Sequence, residues 1–245
     1  MRGKTHCTIG VLVGIQVSLI FKIPISLFNI IVSAIFSILP DLDEPNSLIS
    51  DFFLNKNISK FIYKALIYFI NIIIFFTSLK INNNFYLSSI ITFITIVIIE
   101  AKLTHMFLRK LFLSLIFLLL AICLYLIKSR VYFIFFTLIL SLFPWFKHRS
   151  ISHSIFSTVL MFFLLKQIEL IYSISNLSFF GTVGYASHIF LGDLFTKQGV
   201  PLLYPLSNKK LSLCSFRVGS FFSNLLEILF IVILIYIIIY SIIKI

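Results

Sequence analysis

The chain has 245 residues, 60% hydrophobic and 11% charged, with a mean hydropathy of +1.12. Soluble domains run to about half apolar and about a quarter charged residues, so this composition excludes an ordinary water-soluble domain and points to a polytopic membrane protein. Its 20 Lys and Arg against 8 Asp and Glu give a net charge of +12, which in a soluble protein would suggest nucleic acid. Between apolar segments it reads instead as basic loops facing the cytoplasm and anionic lipid headgroups, and no nucleic-acid partner is expected.

In chain order, nine helical membrane segments are predicted, at about 8–21, 25–39, 58–78, 85–100, 111–127, 131–146, 154–175, 178–192 and 221–243. The first two and the eighth fall short of the ~20 residues of a full span, so they are expected to be tilted, thinly embedded or re-entrant. The first apolar run has no small-residue cleavage motif after it and reads as a retained helix. Backbone polar groups in lipid must be satisfied within helices. The fold class is therefore all-α, a polytopic membrane helical bundle of 8–9 embedded helices in a single domain over 1–245. The longest polar stretches are 40–57 and 193–220. Cys7, Cys123 and Cys214 have neither paired nor metal-type spacing and read as reduced.

Alternating the segments across a bilayer puts the N-terminus, 40–57, 101–110, 147–153 and 193–220 on one side. That side holds fourteen Lys and Arg; the other holds five, namely Lys22, Lys80, Lys128, Arg130 and Lys244, with Lys166 inside a segment. The richer side is expected to be cytoplasmic.

Histidines and acids are few, and most map to the richer side, at helix ends. They are His6 at the start of the first helix, Asp41 and Asp43 in LPDLDEPNS, His148 and His153 in HRSISHS, and His188 and Asp193 in GYASHIFLGDLFT. Ionisable groups at membrane depth tend to mark function. Imidazole with carboxylate suits a divalent ion such as zinc, manganese or iron. Such ions acidify a bound water and clamp a phosphoryl group. His148 and His153, like His188 and Asp193, are five residues apart. That is about 140° on a regular α-helix, so a π-bulge or helix end is required, or the partners serve different ions. Arg149 is suited to orient a phosphate or carboxylate oxygen. His105 reads as a solvated loop residue, Glu100 and Glu169 as partners of nearby lysines, and Trp145 and Tyr204 as interfacial aromatics.

His6, the PDLD run, HRSISHS, GYASHIFLGDLFTKQGVPLLYP over 184–205, and Gly219, Ser220 and Glu227 together resemble the family of LexA-binding, inner-membrane-associated metal-dependent hydrolases. The resemblance covers both ends and the 148–205 region; 58–146 carries no matching motif. The family's usual histidine-to-aspartate spacing is four, where this chain has five, and Gly192 can ease a helix bulge. The resemblance implies His6, Asp41, Asp43, His153, His188 and Asp193 as metal ligands. It also implies His148 as a ligand or general acid and Arg149 as a phosphate clamp. Distant similarity to zinc phospholipases C and zinc nucleases implies phosphoester hydrolysis, with a membrane lipid or lipid-linked molecule as substrate.

The alternative is a non-enzymatic scaffold or regulator whose structural metal site supports binding of a cytoplasmic protein partner, the direction in which the LexA-binding label points. A transporter fits less well, because the charged residues gather at one membrane face and not at the midplane.

Overall fold

The computed structural model describes residues 2–244. Among them are ten α-helices. These are α1 (Gly3–Ile20), α2 (Leu27–Phe36), α3 (Leu48–Phe53), α4 (Lys56–Asn82), α5 (Phe85–Lys102), α6 (His105–Leu126), α7 (Val131–Leu142), α8 (Ile155–Tyr172), α9 (Leu177–Ser187) and α10 (Phe221–Ile243). Short 3-10 turns cover Leu39–Asp43, Phe143–Trp145, Ile151–His153 and Asp193–Phe195, and a π-helical turn covers His188–Gly192. No β-strand occurs among the described residues; one isolated bridge joins Val200 and Leu211. Many helix starts carry a side-chain cap of the expected kind: Ser26, Ser47, Asn84, Thr104, Ser154 and Ser220 each accept from a backbone N–H in the first turn.

Each of the nine predicted segments corresponds to a helix, and α3 is an addition inside the polar stretch 40–57. Two helices start well before their apolar runs. α1 begins at Gly3 and so reaches 18 residues, longer than predicted. α6 begins at His105, where Thr104 caps it, and the polar turn this adds is anchored by Arg109, buried and bonded to Asp51 Oδ1 at 2.5 Å. Six helices, α1, α4, α5, α6, α8 and α10, are long and apolar enough to cross a membrane. The protein is an all-α polytopic membrane protein. Phe61, Phe69 and Phe76 on α4, Phe93 on α5, and Leu225, Leu229 and Val232 on α10 face outwards, an arrangement that only hydrocarbon surroundings make favourable.

α2, α8 and α9 pack around a core that includes Val32, Phe36, Met161, Leu165, Phe180 and Tyr185. α1 lies against α2 and α9, and α10 against α1; α4 with α5 and α6 with α7 form hairpins. Small residues bring three of these helices backbone to backbone. Ser33 Oγ donates to the Gly10 carbonyl at 2.8 Å, and a Cβ on Gly184 would collide with the Ser33 carbonyl. Close approach of this kind is how helices associate where no hydrophobic force separates them from lipid. One helical turn from Gly10, Ser33 and Gly184 stand His6, Ser37 and His188. The contact that locks the helices thus sets these three residues in register at one end of the bundle.

Candidate metal centre

Four chain segments meet at that end: the start of α1 with His6, the 3-10 turn after α2 with Asp41 and Asp43, the loop before α8 with His148, Arg149 and His153, and the end of α9 with His188 and Asp193. Asp41, His153, His188 and Asp193 each offer one ligand atom, all within 4.8 Å of one another. His153 Nε2 lies 3.3 Å from His188 Nε2, 3.2 Å from Asp193 Oδ2 and 3.7 Å from Asp41 Oδ1. His188 Nε2 lies 3.7 Å from Asp193 Oδ2 and 3.5 Å from Asp41 Oδ1. Ligands at about 2.0–2.1 Å from a tetrahedral ion are separated by roughly 3.4 Å. Those five separations, of the six that define a tetrahedron, therefore have the length a single ion requires.

The spacing puzzle at His188 and Asp193 is resolved by the backbone. His188–Gly192 forms a π turn and Asp193 opens a 3-10 turn, so five residues separate two side chains that face the same point. Gly192 is needed there for a second reason: a Cβ on it would enter the His6 ring. His148 and His153 are not on a helix together. Arg149, with φ +58°, and the turn Ile151–His153 fold the loop between them, and the two rings meet edge to face at 5.2 Å.

Contacts behind the centre set its donors. His188 Nδ1 lies 2.7 Å from the Ser37 carbonyl, which fixes the proton on Nδ1 and leaves the Nε2 lone pair for the cluster. Asp43 Oδ2 accepts from Ser152 Oγ and stands 3.4 Å from His153 Nδ1, while Asp43 Oδ1 is 2.7 Å from His148 Nδ1. The buried Tyr185 hydroxyl donates to the Ser152 carbonyl and holds that loop in place. Arg149 donates to Asp193 Oδ1 at 2.9 Å and to Thr196 Oγ1 at 2.5 Å. Nothing in the sequence had singled out Ser37, Ser152, Tyr185 or Thr196; serines and threonines are too common along this chain for position alone to mark them.

Every predicted site residue is in this cluster, though not in one role. Asp41, His153, His188 and Asp193 form the tetrahedral group. Asp41, Asp43, His148 and His153 form a second, overlapping group, so the two make one contiguous centre. The 2.7 Å between His148 and Asp43 is a hydrogen-bond length, and Asp43 thereby supports two imidazoles. His6 is buried, stacks on His188 with ring centroids 3.7 Å apart, and lies 3.6 Å from Asp193 Oδ1, outside both donor groups. Arg149 braces Asp193 and also lines the adjoining cleft.

The charges fit a divalent ion. Among the described residues, three carboxylates, Asp41, Asp43 and Asp193, gather beside the Arg149 guanidinium in a largely buried site, where charge is tolerated only when compensated. Without a metal, His153 carries part of that compensation. Burial opposes its charge, but Asp43 and the oxygens of Asp193 and Asp41 outweigh burial and hold its pKa well above the ordinary histidine value. Burial likewise pushes the Asp193 and Asp43 carboxyls up, and the neighbouring histidines more than reverse it, holding Asp193 well below and Asp43 below the usual carboxylate range.

The centre opens on a cleft of about 980 Å³ whose wall includes Asp41, His148, Arg149 and Asp193. Arg2, Lys197 and Arg217 stand around the same cleft, with Glu44 the remaining acid beside them. Residues 1–245 match the model of the YdjM inner membrane protein. The chain belongs to the YdjM inner membrane protein family. No curated protein and no solved structure matches it. Membership and the apolar helices make this family member a multi-pass protein of the inner membrane.

Proposed function

We propose that this YdjM-family protein is a membrane-embedded, metal-dependent hydrolase acting on a phosphoester of a lipid or lipid-linked substrate at the cytoplasmic face. The observation that carries the reading is the set of donor separations, 3.2–3.7 Å, among His153, His188, Asp41 and Asp193, two of which, Asp41 and Asp193, also line an open cleft. A structural ion would need no cleft; a catalytic one needs an approachable face. Zinc fits the donor set and the separations best, with manganese or iron as alternatives.

A bound divalent ion would acidify a water and polarise a phosphoryl oxygen. The chain's own groups do the rest. Arg2, Lys197 and Arg217 draw an anionic headgroup into the cleft. Arg149 keeps Asp193 oriented and adds positive charge on the cleft wall. His148, partly exposed there and bonded through Nδ1 to Asp43, has its other ring nitrogen to give or take a proton, with Asp43 holding the ring in place.

The test is phosphate or headgroup release from lipid phosphoesters in mixed micelles with detergent-purified protein. The expected result is turnover that a chelator abolishes, that added zinc or manganese restores, and that His148→Ala lowers by about 100-fold or more. Metal-loaded protein with no turnover on any lipid phosphoester would remove the enzymatic reading.

A further inference from the structure

A second hollow of about 750 Å³ lies where the first turns of α1, the short α3 and the start of α10 meet. It adjoins the cleft over the metal centre, since Arg2, Gly3 and Leu48 line both. Leu48, Ile228 and Ile231 give it apolar walls; Thr5, Asn224 and Glu227 give it polar ones, and Arg2, Lys4 and Asp51 stand charged among its lining. From Asn224 to Ile231 the wall follows a membrane-spanning helix for about 10 Å. The hollow therefore runs from the polar end of the bundle into the depth of the hydrocarbon. Leu225, Leu229 and Val232, on the same stretch of α10, are exposed, so this flank of the chamber borders lipid directly.

Glu227 is the second sign of a ligand. It is 5% exposed in a membrane-spanning helix; its Oε2 accepts from Thr5 Oγ1 at 2.5 Å and its Oε1 has no hydrogen-bond partner among the described residues. A buried carboxylate oxygen without a donor is costly, and most such atoms are satisfied by something that binds.

We propose that this chamber binds the hydrocarbon chain and linker of a membrane lipid whose anionic head occupies the neighbouring cleft. The inference rests on the hydrolase reading for the purpose of the head and extends it to the tail. The chain enters sideways from the bilayer along α10, a hydrogen-bond donor of the linker meets Glu227 Oε1, and Arg2, common to both hollows, holds the junction next to the phosphate. Cleft and chamber together match an amphiphile: cations and metal residues for the head, isoleucine and leucine for the chain. A water-soluble phosphoester would use the cleft alone.

The experiment is photo-crosslinking of purified protein in mixed micelles with lysophosphatidic acid, whose free glycerol hydroxyl is the linker donor, carrying a diazirine on its acyl chain, mapped by peptide mass spectrometry. It is paired with kinetics on unlabelled lysophosphatidic acid and on the soluble monoester p-nitrophenyl phosphate. Labelling is expected at Leu48 and over 224–231, competed by unlabelled lipid. Ile231→Trp, which fills the chamber, is expected to reduce it and to raise KM for the long-chain lipid about tenfold, the loss of roughly two buried methylenes, with soluble-monoester turnover unchanged. Labelling spread over the exposed faces of α4 and α5, or equal losses on both substrates in a variant with wild-type thermal stability, would overturn the chamber. Chamber labelling with no turnover of either substrate would support the lipid site and remove the hydrolase reading, so the two failures are distinguishable.

Discussion

Gly192→Ala isolates the way the π turn and the start of α1 make room for each other. A Cβ at this position would fall within the His6 ring, touching both Cε1 and Nδ1. The ring cannot swing aside cheaply: it is 1% exposed and stacked on His188 at 3.7 Å. Overpacking of this kind costs about 1–3 kcal/mol, and each kcal/mol lowers the melting temperature of a chain this size by about 2–4 °C. Removing the obstacle should remove the penalty, so in a His6→Ala background the added methyl should be close to neutral, a coupling of about 1–3 kcal/mol. Circular-dichroism melts of the four proteins of the cycle in one detergent measure it. An equal loss from Gly192→Ala with and without the His6 ring would refute the reasoning.

Metal binding should depend on pH through His153. In the metal-free protein its raised pKa contributes stability that is complete below its unfolded value, about 6.5, and is lost as pH rises through the folded value. The lowered Asp43 and Asp193 contribute above about 3.9 and are lost as pH falls through their folded values. Since the ion takes a neutral imidazole, zinc affinity measured by competition titration should rise about tenfold per pH unit while His153 still holds its proton, and a flat profile would contradict this. Asp51→Ala should destabilise the protein by about 1–3 kcal/mol in chemical unfolding, because it strands the buried Arg109 guanidinium, whose Nε and Nη1 have no partner among the described residues; a neutral result would mean that the pair does not anchor α6 to α3. A reporter at the C-terminus should lie outside the cytoplasm and one at the N-terminus inside, and the reverse pattern would put the cleft on the other face.

Much of this architecture was legible because hydropathy and position are strong signals in a membrane chain. The apolar runs located nine helices, and alternating them placed the rare histidines and acids at one end, where the structure brings them together. The polar ends of helices were not legible. Gly3 to Cys7, with His6 buried, and His105 to Lys110, capped by Thr104 and anchored by buried Arg109, are helical beyond their apolar runs, and a hydropathy reading stops at the last apolar residue. α3 was hidden for the same reason, inside the polar stretch 40–57. At the site, the five-residue gap from His188 to Asp193 demanded a local irregularity, and the π turn supplies it. The division of labour among the acids and imidazoles depends on contacts between residues more than a hundred positions apart, such as Asp43 with His148 and Ser37 with His188. Spacing along the chain carries no trace of them.

The most direct test of the metal centre is elemental analysis of detergent-purified protein, wild type beside Asp41→Ala and His188→Ala, with thermal melts to confirm that each variant is folded. The expected result is a stoichiometric divalent metal, zinc foremost, in the wild type, and its loss from both folded variants. Wild-type protein free of metal after purification in zinc-supplemented buffer, or folded variants that keep the full metal content, would contradict the account.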